Sequence, residues 1–478
     1  MTYSLPEAAK KIIKEMTAGG FQCYLVGGCV RDILLSHRPG DYDFVTDRHP
    51  EEIKEAALKA GWKVWEHDLS FGVVNIVVEG TSFEIATMRA ETYGDDPHRP
   101  EEVVFINDLA SDLARRDFTI NAMAMDIEGH IYDPFGGQED LQKKQIRCVG
   151  ETFNRLLEDP LRLLRASRFA ARTGFQVDPA IYQAAGREEI KSRFHKLSVE
   201  RVRDELEKTL LSPQPGLGFE ILLDMGVLEY TCTRKQAGKT EEVVVLPELC
   251  RLKSVEQNPR FHRYDVLEHT LITLDQVKPE ITLRWAALLH DLAKGAPGVR
   301  TRNKKGEIAD YGHARQGAEL ARKIMERLRV SNSAARRAAW LVRRHMDLNF
   351  AGEKSVIRWV KKRAREFSSR EQFLEAVQQL ILLAQADNLG RGMKEESSFL
   401  PEMSRMLQDT VESMVLYPWE LEVSGHFIAE ELGIQGPQVG KVLEDLLVQV
   451  QSGELENSRE LLREAVRKKA KRLKQPDP

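Results

Sequence analysis

The run Tyr24–Val45, Y-L-V-G-G-C-V-R-D-I-L-L-S-H-R-P-G-D-Y-D-F-V, constrains this chain more than any other. An apolar strand ends in Gly27-Gly28, a helix starts directly after it, and Asp41-Tyr42-Asp43 follows on a strand-like stretch. Glycines let the backbone approach a phosphate closely, and a helix N-terminus offers free N–H groups to an anion. Strand period two puts Asp41 and Asp43 on one face, with Tyr42 on the other. Two neighbouring carboxylates repel unless a cation lies between them. Hard divalent ions bridging carboxylates and substrate phosphates are the usual solution, and phosphoryl or nucleotidyl transfer the usual chemistry. In S-F-E-I-A, Phe83 and Ile85 share the apolar face, so Glu84 faces away from the core. It either completes the metal site or is one exposed glutamate on an edge strand.

Around this run the first 150 residues alternate between helix and strand patterns. Helices are expected over Leu5–Met16 and Val30–Leu35. Strands are expected over Gln22–Val26, Tyr42–Val45, Val73–Val78, Ser82–Thr87 and Val103–Phe105. This is an α/β or α+β domain on a small sheet. From Phe153 the strand signal stops, and Leu156–Thr173, Pro179–Ala185, Val199–Leu211 and Gly218–Met225 carry helical spacing. The polar stretch Thr233–Thr240 reads as a linker. Helices resume from Val266 to about Leu407, and a last helical unit runs from His426 to Lys474. The expected division is 1–150, 151–230, a linker over 231–262, 263–400 and 401–478.

Composition excludes several classes. Of 478 residues, 42% are hydrophobic and 30% charged, which argues against wholesale disorder. The apolar stretches, such as that around Trp285–Leu289, are too short to span a bilayer, so no membrane is expected. Lysines and Glu7 interrupt the N-terminus, which leaves no secretory apolar region. Five scattered cysteines without a C-x-x-C pair point to a reducing cytoplasm. A net charge of −4 lacks the global basic signature of many nucleic-acid binders, but Lys361–Arg365 and Arg467–Lys474 concentrate positive charge locally.

Several motifs in order resemble one family. They are G-G-x-V-R-D (Gly27–Asp32) with D-x-D, R-R-D-F-T-I-N-A-M-A (Arg115–Ala124), D-P-F-G-G (Asp133–Gly137) and E-D-P-L-R-L-L-R-A-S-R-F-A (Glu158–Ala170). E-R-V-R-D-E-L (Glu200–Leu206) and Val423–Gly440 follow. Together they resemble the class II tRNA nucleotidyltransferases, the CCA-adding enzymes and bacterial poly(A) polymerases. The resemblance implies an α+β fold: a polymerase-beta-like head with a small mixed sheet, then a helical neck, an HD domain and a tail. It implies Mg²⁺ held by Asp41 and Asp43, with Gly27, Gly28 and Arg31 on the triphosphate. Arg115, Arg116, Asp117 and Asn121 would grip ribose and phosphates; read alone, Asp117 is equally a helix cap.

Asp159 and Arg162, at i,i+3, read alone as a salt bridge at a helix start. In the family context they look like an amino-acid template for the incoming base. A carboxylate accepts from an exocyclic amino group and a guanidinium donates to the neighbouring ring nitrogen, which admits CTP and ATP and rejects UTP and GTP. Glu158 and Arg165 look like the shell that holds the pair, with Arg168 one turn further on. The polar loop Arg89–Phe105, with His98-Arg99-Pro100 where the family often has two arginines, would help switch from C to A.

In the second half, His269, His290-Asp291 and Asp387 follow the H…HD…D order of HD phosphohydrolases, and His313 and His345 would extend the set to two metals. Nitrogen ligands suit Ni²⁺, Co²⁺ or Mn²⁺ better than Mg²⁺. The expected function is template-independent addition of CCA to tRNA, with a phosphohydrolase beside it. Two alternatives stand: an A-adding enzyme or poly(A) polymerase, and an HD phosphohydrolase whose head only binds tRNA. Oligomeric state is not legible in the sequence.

Overall fold

The computed structural model describes residues 5–65, 72–92, 102–236, 238–393 and 399–474. Helix α1 (Glu7–Met16) buries Ala8, Ala9, Ile12, Ile13 and Met16 along one stripe and leaves Lys11 and Lys14 in water. Strand β1 (Cys23–Val26) runs into Gly27, and helix α2 (Gly28–Leu34) begins on the next residue. There follow β2 (Asp43–Thr46), α3 (Pro50–Lys59), β3 (Lys63–Trp65), β4 (Val73–Val78) and β5 (Thr81–Thr87). Residues of β4 alternate buried and half-buried, the signature of a strand with one face on a core.

Next come β6 (Arg89–Thr92) and β7 (Glu102–Phe105), which pair with each other. Residues 93–101 between them, with His98-Arg99-Pro100, lie outside the described residues. After α4 (Leu109–Ala114), the strands β8 (Ala124–Met125) and β9 (Ile131–Tyr132) complete a mixed sheet of order β3-β4-β5-β2-β1-β8-β9. Only β2 and β5 run parallel in it. Val26, Val45, Met88, Leu109, Leu113 and Ala124 form a core against it.

Helix α5 (Gly137–Lys143) leads to α6 (Thr152–Glu158) and α7 (Arg162–Thr173). The single helix expected over Leu156–Thr173 is therefore two. Pro160 disfavours helical geometry at the residue before it, and Asp159 is extended at φ −139°, ψ 98°. Further helices span Pro179–Ala185, Glu188–His195, Val199–Leu210 and Pro215–Asp224.

Strands also persist beyond Phe153, contrary to expectation. The presumed linker holds an antiparallel hairpin, Thr231–Gln236 with Lys239–Val244. Its charged residues masked the alternation: Cys232 and Val243 sit opposite each other and are both buried, while most of the remainder is wet. A shorter pair joins Arg300–Arg302 to Ile308–Asp310.

The chain divides into two compact units. One comprises Met1–Lys253, Pro279–Ile281 and Lys323–Asn332; the other comprises Ser254–Lys278, Thr282–Arg322 and Ser333–Pro478. In the second, Val266–Gln276 packs on Arg370–Gly390 so closely that a Cβ on Gly390 would lie 2.1 Å from Thr273 Oγ1 and 3.2 Å from His269 Nδ1. Glycine there lets the helix bearing Asp387 approach the helix bearing His269. The three last helices, Gly425–Leu432, Pro437–Ser452 and Arg459–Lys474, share a core that includes Ile428, Leu446, Leu462 and Val466. No described helix is long and apolar enough to cross a membrane.

Candidate functional site

Three carboxylates converge at the edge of one cavity of about 720 Å³ in the first unit. Asp43 opens β2 and stands in register with Glu84 on the parallel strand β5; Asp41 precedes the strand by two residues. Burial, followed by the charges of Asp41 and Glu84, pushes the Asp43 carboxyl up to about 6. A carboxylate so crowded by like charge is a group that a divalent cation would relieve, and an all-oxygen donor set suits a hard ion.

Gly27 borders these acids. Its φ of 77° and ψ of −135° suit only glycine, and an added Cβ would sit 2.9 Å from Arg116 Nη1. Arg116 itself is half-buried, its side chain 20% exposed, and desolvation lowers its affinity for a proton. Among the described residues its ion pair to Asp112 is long at 3.4 Å and its Nε has no hydrogen-bond partner. It is the least committed guanidinium in the pocket. Arg115, by contrast, is tied to Asp112 at 2.8 Å and Glu91 at 3.0 Å.

A relay of charged groups runs along the wall. Arg31, only 1% exposed, donates to Asp32 at 2.8 and 2.9 Å and to Asn121 Oδ1 at 2.7 Å. Asp32 also takes Arg172 at 2.8 Å. Asn121 Nδ2 reaches Asp117 Oδ1 at 3.2 Å, and Arg165 Nε donates to Asp117 Oδ2 at 2.8 Å. Burial opposes charge on Asp117, but Arg165 holds its carboxyl down at about 2. Asp117 is thus no helix cap; Phe118 occupies the N-cap position of the short turn after it.

The neck residues are arranged otherwise than the i,i+3 argument implies. Asp159 follows the last residue of α6 and Arg162 opens α7, so the two face the cavity across a break and not from one helix. Asp159 Oδ2 accepts from Arg201 Nη2 at 2.9 Å. Arg162 Nη1 donates to Glu158 Oε2 at 2.9 Å, and its Nη2 to the Arg115 carbonyl at 3.2 Å. Arg168 Nε is paired with Glu205 at 2.7 Å. Every head and neck residue that the sequence analysis assigned to the site lines this cavity except Glu158, which stands behind Arg162.

Sequence reasoning passed over Asp32, Arg172, Arg201 and Glu205. Asp32, Arg201 and Glu205 lay inside the quoted motifs and could have been drawn from them. Arg172 carried no signal beyond its place on α7, one turn past Arg168.

The second unit gathers all six expected ligands. His269 Nε2 lies 3.2 Å from His290 Nε2 and 3.2 Å from Asp387 Oδ1; His290 Nε2 is 3.2 Å from Asp291 Oδ2. His313 Nε2 is 3.3 Å from His345 Nε2 and 3.5 Å from Asp291 Oδ1. The six form two triads, His269–His290–Asp387 and Asp291–His313–His345. Asp291, 1% exposed, stands between them with one oxygen towards each.

The tautomers follow from the backbone. Nδ1 of His290, His313 and His345 points at the carbonyls of Ala287, Asp310 and Val342 at 2.7–2.8 Å, so each Nδ1 donates. The Nε2 lone pairs of His313 and His345 then face each other, an arrangement that a shared cation resolves. Burial and the neighbouring His290 push His345 down to about 4, which keeps it a neutral ligand. Burial also opposes charge on His290, but Asp291 outweighs it and favours the protonated ring. Lys294 Nζ reaches Asp291 Oδ2 at 2.7 Å. The donor set fits divalent metals with nitrogen affinity.

Three family descriptions match in this order. "Poly A polymerase head domain" covers residues 23–147, "Probable RNA and SrmB-binding site of polymerase A" covers 174–232, and "HD domain" covers 262–392. Among curated proteins, the CCA-adding enzyme of Lactobacillus johnsonii is 40% identical over 259 residues, 53% of this chain and 63% of that protein. The CCA-adding enzyme of Lactobacillus gasseri is 39% identical over the same shares. The chain thus spans less than two thirds of the length of these relatives. Among solved structures, the Bacillus stearothermophilus CCA-adding enzyme in complex with CTP aligns over 98% of both chains at 24% identity and TM-score 0.68. A Thermotoga maritima CCA-adding enzyme complexed with tRNA aligns over 96% of this chain and 93% of its own at 20% identity and TM-score 0.52. These two likenesses bear on the fold.

Proposed function

We propose that the chain, whose head, RNA-binding and HD regions match those family descriptions in order, is a class II tRNA nucleotidyltransferase that adds CCA to tRNA 3′ ends from CTP and ATP without a nucleic-acid template. The observation that carries this reading is that Asp41, Asp43 and Glu84 share one cavity with Asp159 and Arg162. Carboxylates fit for metal-assisted transfer and a hydrogen-bonding pair fit for a base thereby meet in one site.

Asp41 and Asp43 would hold Mg²⁺, with Glu84 beside them. Mg²⁺ held there would supply charge to neutralise the triphosphate and lower the pKa of the primer's 3′-hydroxyl. The rest falls to the chain's own groups. Arg116, fixed against Gly27, faces the phosphates. Arg31 and Arg165 act through their partners: Arg31 holds Asn121, and Arg165 holds Asp117, in position beside the ribose. Asp159 accepts from the exocyclic amine of cytosine or adenine, and Arg162 donates to the adjacent ring nitrogen. Uracil and guanine present a carbonyl and an N–H there, which meets like with like. The proposed domains are 1–150, 151–230, 231–262, 263–400 and 401–478, the third segment holding the hairpin.

The HD centre is read as a separate phosphohydrolase acting on RNA 3′ ends or small phosphoesters. Its six candidate ligands would hold two divalent ions, Ni²⁺, Co²⁺ or Mn²⁺ in preference to Mg²⁺, and these would supply an activated water and neutralise phosphate charge. All five cysteines are free, and burial pushes the thiols of Cys23, Cys29, Cys148, Cys232 and Cys250 up, in keeping with the cytoplasm.

Asp41→Ala or Asp43→Ala tests the head. Nucleotide addition should disappear with the fold retained. Activity within about tenfold of the parent, a barrier change of only ~1.4 kcal/mol, would remove these residues from catalysis.

A further inference from the structure

The HD centre opens into a cavity of about 160 Å³ whose lining includes His313, His345 and Asp387. Two apolar side chains from different elements reach the same cavity although they stand in water: Phe261 is 50% exposed and Met346 is 52% exposed. A phosphate group alone would need neither. Phe261 is presented by a built turn. The Asn258 carbonyl accepts from the N–H of Phe261 at 3.0 Å and of His262 at 3.1 Å, and Asn258 Oδ1 accepts from Arg260 N at 3.0 Å. The next residue along, Arg263, donates its N–H to the Arg391 carbonyl at 2.9 Å, which ties the turn to the end of the helix bearing Asp387. The turn Asn258–Arg263 thus holds an exposed ring beside a cluster of candidate metal ligands, a placement that suits stacking.

We propose that Phe261, backed by Met346, clamps a nucleobase at the mouth of the HD centre, so that this site selects phosphoesters of nucleosides over phosphoesters without a base. The inference rests on the reading of the HD centre as a phosphohydrolase. Lys294, which lines the cavity and reaches Asp291, places positive charge where the phosphate would lie. For a 2′,3′-cyclic phosphate the reaction consumes one water. Its oxygen bonds to phosphorus, the bond from phosphorus to one ribose oxygen breaks, and that oxygen leaves carrying a proton. The base takes no part in the bond changes, so its clamp should act on binding.

The test uses the full chain loaded with Mn²⁺ and compares adenosine 2′,3′-cyclic phosphate with abasic ribose 2,3-cyclic phosphate. The parent should prefer the nucleoside ester by tenfold or more in kcat/KM, through KM. Phe261→Ala should abolish that preference and leave the abasic ester unchanged within about twofold, and Phe261→Trp should restore it. An RNA oligonucleotide ending in the same cyclic phosphate separates the two sources of base: loss with Phe261→Ala on RNA alone assigns chain ends, and loss on both substrates assigns either source. Equal use of both small esters by the parent, or an equal fall on both in Phe261→Ala, would overturn the clamp. Hydrolysis of neither ester by the metal-loaded parent would overturn the phosphohydrolase reading and the clamp with it.

Discussion

The Asp159 carboxylate is held by Arg201 at 2.9 Å, from a helix that follows it by some forty residues. Arg162, three residues from Asp159, is held instead by Glu158 and the Arg115 carbonyl. The two groups assigned to the base are therefore each braced from behind. Arg201→Ala should free Asp159 and raise misincorporation of UMP and GMP about tenfold, with a smaller change in KM for CTP. Asp159→Ala or Arg162→Ala should relax selection further. A uniform rise in KM for all four nucleotides would dispose of the template role.

Gly27 makes a second prediction at the backbone. Ala at this position meets both a disallowed φ of 77° and Arg116 Nη1 at 2.9 Å. Gly27→Ala should cost about 1–3 kcal/mol of local strain or displace Arg116. Either way KM for both CTP and ATP should rise at least tenfold, while the preference for C and A over U and G persists. Unchanged steady-state kinetics would show that Arg116 does not contact the triphosphate.

Acid stability should report on the Asp117–Arg165 pair. Arg165 holds the Asp117 carboxyl at about 2 against an ordinary 3.8. A depressed folded-state value means that the unfolded chain takes up the proton first. The stabilisation is whole above about pH 4 and drains away as pH falls towards 2. Nearly two pH units correspond to about 2 kcal/mol. Urea unfolding of Asp117→Asn beside the parent should show a gap at neutral pH that closes over this window. A gap constant from pH 6 to pH 2.5 would contradict the pairing.

The two centres should separate by metal and by mutation. His290→Ala with Asp291→Ala should eliminate cyclic phosphate hydrolysis and spare nucleotide addition. Metal analysis of the parent should find two tightly held ions that resist a wash with Mg²⁺, and His313→Ala should release one of them. Loss of both activities together, with circular dichroism unchanged, would mean that the chain has been divided wrongly.

The face on which Glu84 lies was within reach of the sequence, because strand period and the apolar pair Phe83 and Ile85 fix it; its register with Asp43, on a strand some forty residues earlier, was not. That His269, His290, Asp291 and Asp387 would come together was legible from their H…HD…D order, whereas His313 and His345, which join them, carried no motif of their own. The break at Asp159 had a signal, Pro160, that the periodicity of the leucines around it outweighed. The hairpin Thr231–Val244 was hidden by charge on its wet face, with only Cys232 and Val243 marking the buried one. Pairings such as Arg201 with Asp159, or Asp32 with Arg172, join distant segments, and no local pattern encodes them.

Incubation of the chain with a tRNA trimmed of its last three nucleotides, all four NTPs and Mg²⁺, followed by sequencing of the 3′ ends, tests the central claim most directly. The account predicts a product ending in C, C and A, with growth stopping there and no U or G incorporated. Runs of A alone would assign the chain to the polyadenylating branch, and no addition at all would leave the head a binding module; either result would contradict the account.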